Sequence, residues 1–448
     1  MNRKLYLKKM ATRRKRVSRE ITDPTGVVTD PIQQEPPIVP SKLPQILSVS
    51  GLFFTGFFYL IFFHYQIEQK LKRSILINSL LSFVGFFVTL LLIPVATKYL
   101  LRRNLFGYDI NKKGTPQGSI KVPESLGIVI GIVFLVLAIL FQCFNFISDS
   151  NWLVEYNAAL ASICFMILLG FVDDVLDIPW RVKLVLPAIA TLPLLMAYTG
   201  HNDHHHTKTF HSICWFKNIG FSVFLSAIVC NVHYAGMKTM TASPRRIYKL
   251  YMWLLAIFCT NSINIHAGLN GLEAGQTAVI ASAILIHNIM QIGSSTDPEQ
   301  KQAHAFSIYL VQPLLTTTLA LLCFNWYPSS VFVGDTYTYF AGMAMAVVGI
   351  LGHYSETLLI FFLPQVLNFL ASCPQLFGFI HCPRHRLPRY DPQTGLLTGT
   401  DDGTLVNIFL RLFGRCSEKS LCIRLLAFQA LCCAFCFILR YILTGWYK

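Results

Sequence analysis

Leu168-Leu169-Gly170-Phe171-Val172-Asp173-Asp174-Val175-Leu176-Asp177-Ile178-Pro179-Trp180-Arg181-Val182-Lys183 decides how the rest of the chain is read. An apolar run that begins near Asn157 stops on two adjacent carboxylates. Asp177 and the cations Arg181 and Lys183 follow before apolar sequence resumes at Leu184. Charge placed between two hydrophobic segments marks a membrane edge, because an ionisable group at the bilayer centre costs roughly 2.5–3.5 kcal/mol on insertion scales.

The composition agrees with that reading. Of 448 residues, 54% are hydrophobic and 13% charged, where soluble domains carry ~25% charged residues. Mean hydropathy is +0.51. Apolar stretches close to the ~20 residues of a spanning helix recur at 47–64, 75–99, 128–147, 158–172, 184–198, 247–259, 277–292, 305–324, 337–351, 358–379 and 425–443. The expected fold is an all-α polytopic membrane protein with about ten core transmembrane helices and an extra N-terminal span. Residues 1–45 form a basic, then Pro-rich, cytosolic tail that is disordered by composition. Residues 46–73 hold the extra helix, and 74–448 the main membrane domain, with a cytosolic loop over 380–421. Lys and Arg total 37 against 22 acids, a net +15 that serves as a topology signal and not as a nucleic-acid footprint. The 13 cysteines fall mostly in apolar runs, as Cys432, Cys433 and Cys436 do, and read as packing residues. Histidines 201, 204, 205, 206 and 211 lack the fixed spacing of a metal site and read as a solvated loop. Gly127 and Gly131 form a small-xxx-small face for close helix contact.

The loop 101–123 carries Arg102, Arg103, Lys112, Lys113 and Lys121 and is therefore assigned to the cytosol. Counting crossings from there puts 173–183, 264–273, Asp335 and 384–389 on that same face. The apolar segment 219–237 threatens this parity. A crossing there would leave 264–273 and Asp173 on opposite sides of ~30 Å of hydrocarbon. It is therefore expected at the lumenal surface or as an insertion outside the functional core. The oxygens of Asp173, Asp174, Asp335 and Asn264 suit Mg²⁺ or Mn²⁺, hard ions that bridge protein and phosphates. Lys183, Arg384 and Arg386 suit phosphate oxygens. Glycines 268, 271 and 275 permit close backbone approach to a ligand. Together these groups point to phosphoryl transfer to or from a lipid.

Phe332-Val333-Gly334-Asp335-Thr336, Cys382-Pro383-Arg384-His385-Arg386, the segment 264–275, and Asp173-Asp174 with Trp180 and Lys183 resemble, in this order, one family. It is that of the eukaryotic UDP-N-acetylglucosamine–dolichyl-phosphate N-acetylglucosaminephosphotransferases, within the polyprenyl-phosphate N-acetylhexosamine-1-phosphate transferase superfamily. The similarity covers 75–390 and, more weakly, 404–440. It implies transfer of GlcNAc-1-phosphate from UDP-GlcNAc to dolichyl phosphate, giving GlcNAc-PP-dolichol and UMP. This is the first step of lipid-linked oligosaccharide synthesis for N-glycosylation, and the tunicamycin target. The implied setting is the endoplasmic reticulum membrane with the site facing the cytosol, and with room for a homodimer or a complex with later enzymes of the route. By the family's pattern, Asn264 and Asp335 hold Mg²⁺ (Mn²⁺ as substitute), Lys183 and Arg384 contact phosphate, and Asp173 and Asp174 orient or deprotonate the lipid phosphate. His385, Arg386 and Glu124 border the N-acetyl sugar. Asn270 and Phe332 border the uridine, and Trp180 belongs to the substrate site. Pro179, Val182 and His266 depart from the family's residues beside its motifs. The rival class is a polytopic transporter of a phosphorylated or nucleotide-sugar substrate, which would place its binding groups near the midplane with repeat symmetry.

Overall fold

The computed structural model describes residues 40, 42–146, 151–198, 243–381 and 386–446. Residues 1–39, the segments 201–211 and 219–237, Arg384, His385 and the side chain of Trp180 lie outside this description. Helices α1 (Leu43–Tyr59, continued by a wider turn Leu60–His64), α2 (Gln69–Arg102), α3 (Gly127–Asn145) and α4 (Asn151–Leu176) come first. The short α5 (Trp180–Ala190) and α6 (Leu192–Ala197) follow, then α7 (Ser243–Ile265), α8 (Leu272–Ser294), α9 (Pro298–Asn325) and α10 (Gly334–Leu351). The bent pair α11 (Ser355–Phe361) and α12 (Leu363–Leu376) precedes α13 (Leu405–Phe413) and α14 (Glu418–Trp446). Two antiparallel hairpins complete the described chain: β1 (Phe106–Gly107) with β2 (Val122–Pro123), and β3 (Arg389–Asp391) with β4 (Leu396–Thr398).

Seven of these helices are long and apolar enough to cross a membrane, or eight if the bent pair is one span. The extra N-terminal segment, Leu43–His64, is among them. Helix α10 opens on Asp335, Thr336 and Tyr337, yet it lies inside the bundle, where neighbouring helices can satisfy polar groups that lipid cannot. Two spans expected to be continuous are broken. The first breaks at Thr191, between Pro187 inside α5 and Pro193 in the first turn of α6, while α11 and α12 meet at 72° next to Pro364. Each proline lacks the N–H that would continue the ladder.

Helix α9 is almost wholly buried and packs against α2, α8 and α10. Small residues bring the functional helices to backbone contact. A Cβ on Gly170 of α4 would strike Thr336 of α10, and one on Gly342 of α10 would strike Cys259 and Thr260 of α7. One on Gly127 would strike Tyr337, and one on Gly131 would strike Ile167 of α4, as the small-xxx-small pattern requires. Gly275 serves packing against Leu426 of α14, and not the ligand approach expected of it. The rings of Tyr198, after α6, and Tyr248, in α7, lie 6.0 Å apart. The chain therefore leaves α6 and re-enters α7 at the same end of the bundle, which the parity argument demanded.

Candidate active site

Helix α4 ends where Asp177 turns into the left-handed region at φ 50° and Pro179 blocks further winding. That stop leaves Asp173 and Asp174 on the last turn, with different partners. One oxygen of Asp173 accepts the Ile178 N–H at 3.0 Å; the other takes the Tyr339 hydroxyl at 2.9 Å and the Lys183 ammonium at 2.7 Å. Lys183 also reaches Asp335 at 2.8 Å, so one cation bridges carboxylates from α4 and α10. Negative charge at the C-terminal end of α4 is unfavourable against the helix dipole, and Lys183 offsets it.

Asp174 faces the start of α10. Its oxygens accept the N–H groups of Asp335 at 2.6 Å and Thr336 at 3.2 Å and the Thr336 hydroxyl at 2.5 Å. Those N–H groups have no partner within their own helix, and their dipole favours an anion. Gly334 makes the approach possible: it sits at φ 75°, and a Cβ there would collide with Asp174 and Ser125. Asn264, on the last turn of α7, donates to Asp335 at 2.6 Å and to the Thr338 hydroxyl at 3.2 Å. The Asp173 side chain is 1% exposed, whereas Asp335 is 31% and Lys183 26% exposed. The open face of the cluster is therefore that of Asp335 and Lys183.

The 331–334 segment lies along the strand leading into α3. Phe332 N–H donates to Pro123 O at 2.8 Å and Gly127 N–H to Val333 O at 3.0 Å. This places Glu124 near Asp174 and Asp335. Burial, and then the charges of those two aspartates, push its carboxyl up to about 7. The Glu124 carboxylate and the Phe332 ring both come within 3.3 Å of the position a Cβ on Gly107 would take.

Asn270 belongs to a neighbouring polar cluster. Its amide donates to Asp109 at 3.0 Å and its N–H to Glu418 at 2.9 Å, while Asn111 donates to the Gly268 carbonyl at 2.7 Å and to Glu418 at 3.2 Å. Lys112 pairs with Asp109 at 2.7 Å and lies 4.8 Å from the Tyr327 ring centroid. The segment 107–109, which leaves β1, links the clusters, lying against Phe332 at Gly107 and bonded to Asn270 at Asp109. Gly268, at φ 101°, donates to Glu273 at 2.8 Å and packs under Leu387. Burial holds the His266 imidazole down to about 4, so this departure from the family adds no charge beside Asn264. Arg386 donates to Gln375 at 3.5 Å.

Asp173, Asp174, Lys183, Asn264 and Asp335 thus form one hydrogen-bonded cluster with Glu124 and Phe332 alongside, Asn270 linked to it by the segment 107–109, and Arg386 beside α12. Sequence reading passed over Tyr339, Thr336 and Thr338, which hold that cluster, and Asp109, Asn111, Lys112 and Glu418, which hold Asn270. The loop 101–123 had been read for its cations alone.

The donor set fits a divalent ion of the Mg²⁺ type. Asp335 presents a half-open carboxylate, Asn264 an amide oxygen that accepts none of the site's hydrogen bonds, and no group of three or more His, Cys, Asp or Glu forms a cage among the described residues. Mg²⁺ is commonly held by one or two protein oxygens plus waters and substrate phosphates.

The sequence profile of glycosyl transferase family 4 matches residues 156–353. The chain is 47% identical over 392 residues to a UDP-N-acetylglucosamine–dolichyl-phosphate N-acetylglucosaminephosphotransferase of Dictyostelium discoideum, covering 84% of this chain and 91% of that one. It is 37% identical over 340 residues to the protein of the same name from Saccharomyces cerevisiae, covering 70% of each. A phospho-N-acetylmuramoyl-pentapeptide-transferase of Listeria welshimeri is 25% identical over 314 residues, covering 69% of this chain and 86% of that one. Each of these relatives is a transferase by name, and none supports the transporter reading.

Proposed function

Because the chain belongs to the family of UDP-N-acetylglucosamine–dolichyl-phosphate N-acetylglucosaminephosphotransferases, we propose that it transfers GlcNAc-1-phosphate from UDP-GlcNAc to dolichyl phosphate, yielding GlcNAc-PP-dolichol and UMP. The observation that carries this reading is the Lys183 bridge between Asp173 and Asp335, with Asn264 on the same carboxylate, at the membrane edge. Such a cluster suits positioning and charge neutralisation around a transferring phosphoryl group, which is where most of the catalysis of this chemistry lies.

Asp335 and Asn264 would hold Mg²⁺ or Mn²⁺, which when bound neutralises charge on the diphosphate. Lys183 turns its ammonium toward phosphate oxygens, held in place by Asp173 and, through it, Tyr339. Asp174 acts at one remove, fixing the first turn of α10 and with it Asp335. A phosphomonoester is already largely ionised near neutral pH, its second pKa being about 6. The attacking lipid phosphate therefore needs orientation more than deprotonation, and Asp173, committed to Ile178, Lys183 and Tyr339, suits the orienting role. Arg384 is assigned to phosphate, Glu124, Trp180, His385 and Arg386 to the sugar, and Asn270 and Phe332 to the uridine. Arg102 at the end of α2 and Arg103, Lys112, Lys113 and Lys121 on the loop that follows lie at the catalytic end. This supports a site facing the cytosol, here of the endoplasmic reticulum.

Purified full-length protein with Mg²⁺ should release UMP from UDP-GlcNAc only when dolichyl phosphate is present, and tunicamycin should stop it. UMP release independent of the lipid, or none with it, would overturn the proposal.

A further inference from the structure

Helices α1, α2 and α9 line a half-open cavity of about 470 Å³ whose lining includes none of the site residues. That is within the ~300–1,000 Å³ of small-molecule sites. Its walls are Phe54 and Phe58 from α1, Phe83 and Phe86 from α2, and leucines; exposed Leu47, Leu80 and Phe83 stand at its rim. All three helices are candidate spans, so the rim opens on hydrocarbon and the occupant enters from the bilayer.

The wall's polar groups define that occupant further. Ser50 spends its proton on Ile46 O at 2.6 Å and Thr316 on Pro313 O at 3.2 Å, so both offer lone pairs. Ser79 and Gln312 are tied to each other at 2.7 Å, and Gln312 to Asn78 at 2.6 Å. Ser82, 1% exposed, has a hydroxyl with no partner. Among the described residues no charged one lines the cavity, which disfavours a phosphate head group. Ser82 can donate as well as accept, whereas Ser50 and Thr316 can only accept; a hydroxyl answers both kinds of group, while an ester can only accept from Ser82.

We propose that this cavity binds a neutral, otherwise apolar lipid bearing one hydroxyl, held between the additional N-terminal helix and the core; the aromatic walls favour the ring-built sterol form over a long-chain alcohol. The site is separate from the transfer reaction and does not depend on its assignment.

Gly51 gives the test its instrument. It lines the cavity, and a Cβ there would meet nothing within 4 Å, so Gly51→Leu fills the space without collision. Gly56, on the same helix and equally open, does not line it and serves as control. Full-length protein in nanodiscs would be photolabelled with diazirine probes of a sterol, a long-chain isoprenoid alcohol and a phospholipid acyl chain, and the labelled peptides mapped. A hydroxylated probe should label α1 and α2, compete with free sterol or alcohol, and compete poorly with its O-methyl ether. Labelling should fall about tenfold, a loss worth ~1.4 kcal/mol, in Gly51→Leu and not in Gly56→Leu. Thr316→Val, nearly the same shape, should lower it several-fold and keeps the test open if the leucine variant does not fold. Stronger labelling by the sterol than by the isoprenoid alcohol is expected, and the reverse order overturns the sterol assignment. Unchanged labelling in both Gly51→Leu and Thr316→Val, or equal labelling by the phospholipid probe, overturns the proposal.

Discussion

At one end of α8, α9 and α10 a charged cluster lies partly open; at the other a neutral hydrogen-bonded network is sealed between the helices. The catalytic end carries Lys183 between Asp173 and Asp335. The far end carries His304 against Asn288 at 2.7 Å, Asn288 donating to Ser307 at 2.9 Å, and Ser307 against Tyr354 at 2.5 Å. Asn288, His304 and Ser307 are each at most 3% exposed. Burying a hydrogen-bonded neutral network costs little, while a charge must be paired or must have work to do. The difference teaches that polarity inside a membrane domain marks function where it is ionised and reachable, and cohesion where it is neutral and closed.

Removing charge at the open end should affect turnover most. Asp335→Ala should cut UMP release by about 10³-fold or more, since it deletes the carboxylate proposed to hold the metal together with the anchor of Lys183 and Asn264. Detergent-solubilised protein should still elute as a monodisperse peak. Near-normal activity in this variant would break the contrast between the two ends.

Lys183→Met comes next, with a loss of ~10²-fold in kcat/KM. It also leaves Asp173 and Asp335 facing each other without a cation, so its thermal midpoint should fall, and added Mg²⁺ should restore part of that stability. If Mg²⁺ leaves the midpoint unchanged, the two carboxylates do not share the ion's field.

Asn288→Ala tests the sealed end. It removes the Asn288 partner of His304 and one of the two partners of Ser307, which keeps Tyr354, and losing a buried partner costs ~1–3 kcal/mol. The measurement is a lowered melting temperature alongside a KM for UDP-GlcNAc within about twofold of the parent. A large change in KM with unaltered melting would mean that the far end takes part in function.

Much of this contrast was legible in the sequence, for identifiable reasons. Asp173 and Asp174 interrupt apolar sequence, and crossing parity put them on the face of Asn264 and Asp335; the 2.6 Å contact of Asn264 with Asp335 bears that out. The division of labour between the aspartates was not legible, because it depends on which one meets the start of α10, and that follows from Gly170 seating against Thr336. The Asp109, Asn270 and Glu418 cluster was hidden too. Asn111 and Glu418 are 307 residues apart, and no local spacing announces such a contact. The breaks at Thr191 and Phe362 were masked by hydropathy, which averages over a kink. Arg384 and His385, which belong to one of the motifs that carry the resemblance, lie outside the described residues.

The smallest expected effect sharpens the comparison most, because it concerns a group that is neutral or charged according to pH. The Glu124 carboxyl titrates at about 7 in the fold instead of 4.5, chiefly because burial penalises the anion and secondarily because Asp174 and Asp335 repel it. Folding therefore favours the protonated form. That contribution to stability is complete below the ordinary carboxyl range and is lost as pH rises through about 7. The same deprotonation adds a negative charge beside the place where a diphosphate must sit. The KM for UDP-GlcNAc should therefore rise by roughly two- to fivefold between about pH 6 and pH 8 in the parent protein. Glu124→Gln, fixed in the neutral form with the same shape, should give a flat profile and resemble the parent at the acidic end. If the glutamine variant follows the parent's pH dependence, the titrating group is elsewhere. If it loses activity equally at every pH, Glu124 acts through its hydrogen bonds and not through its charge.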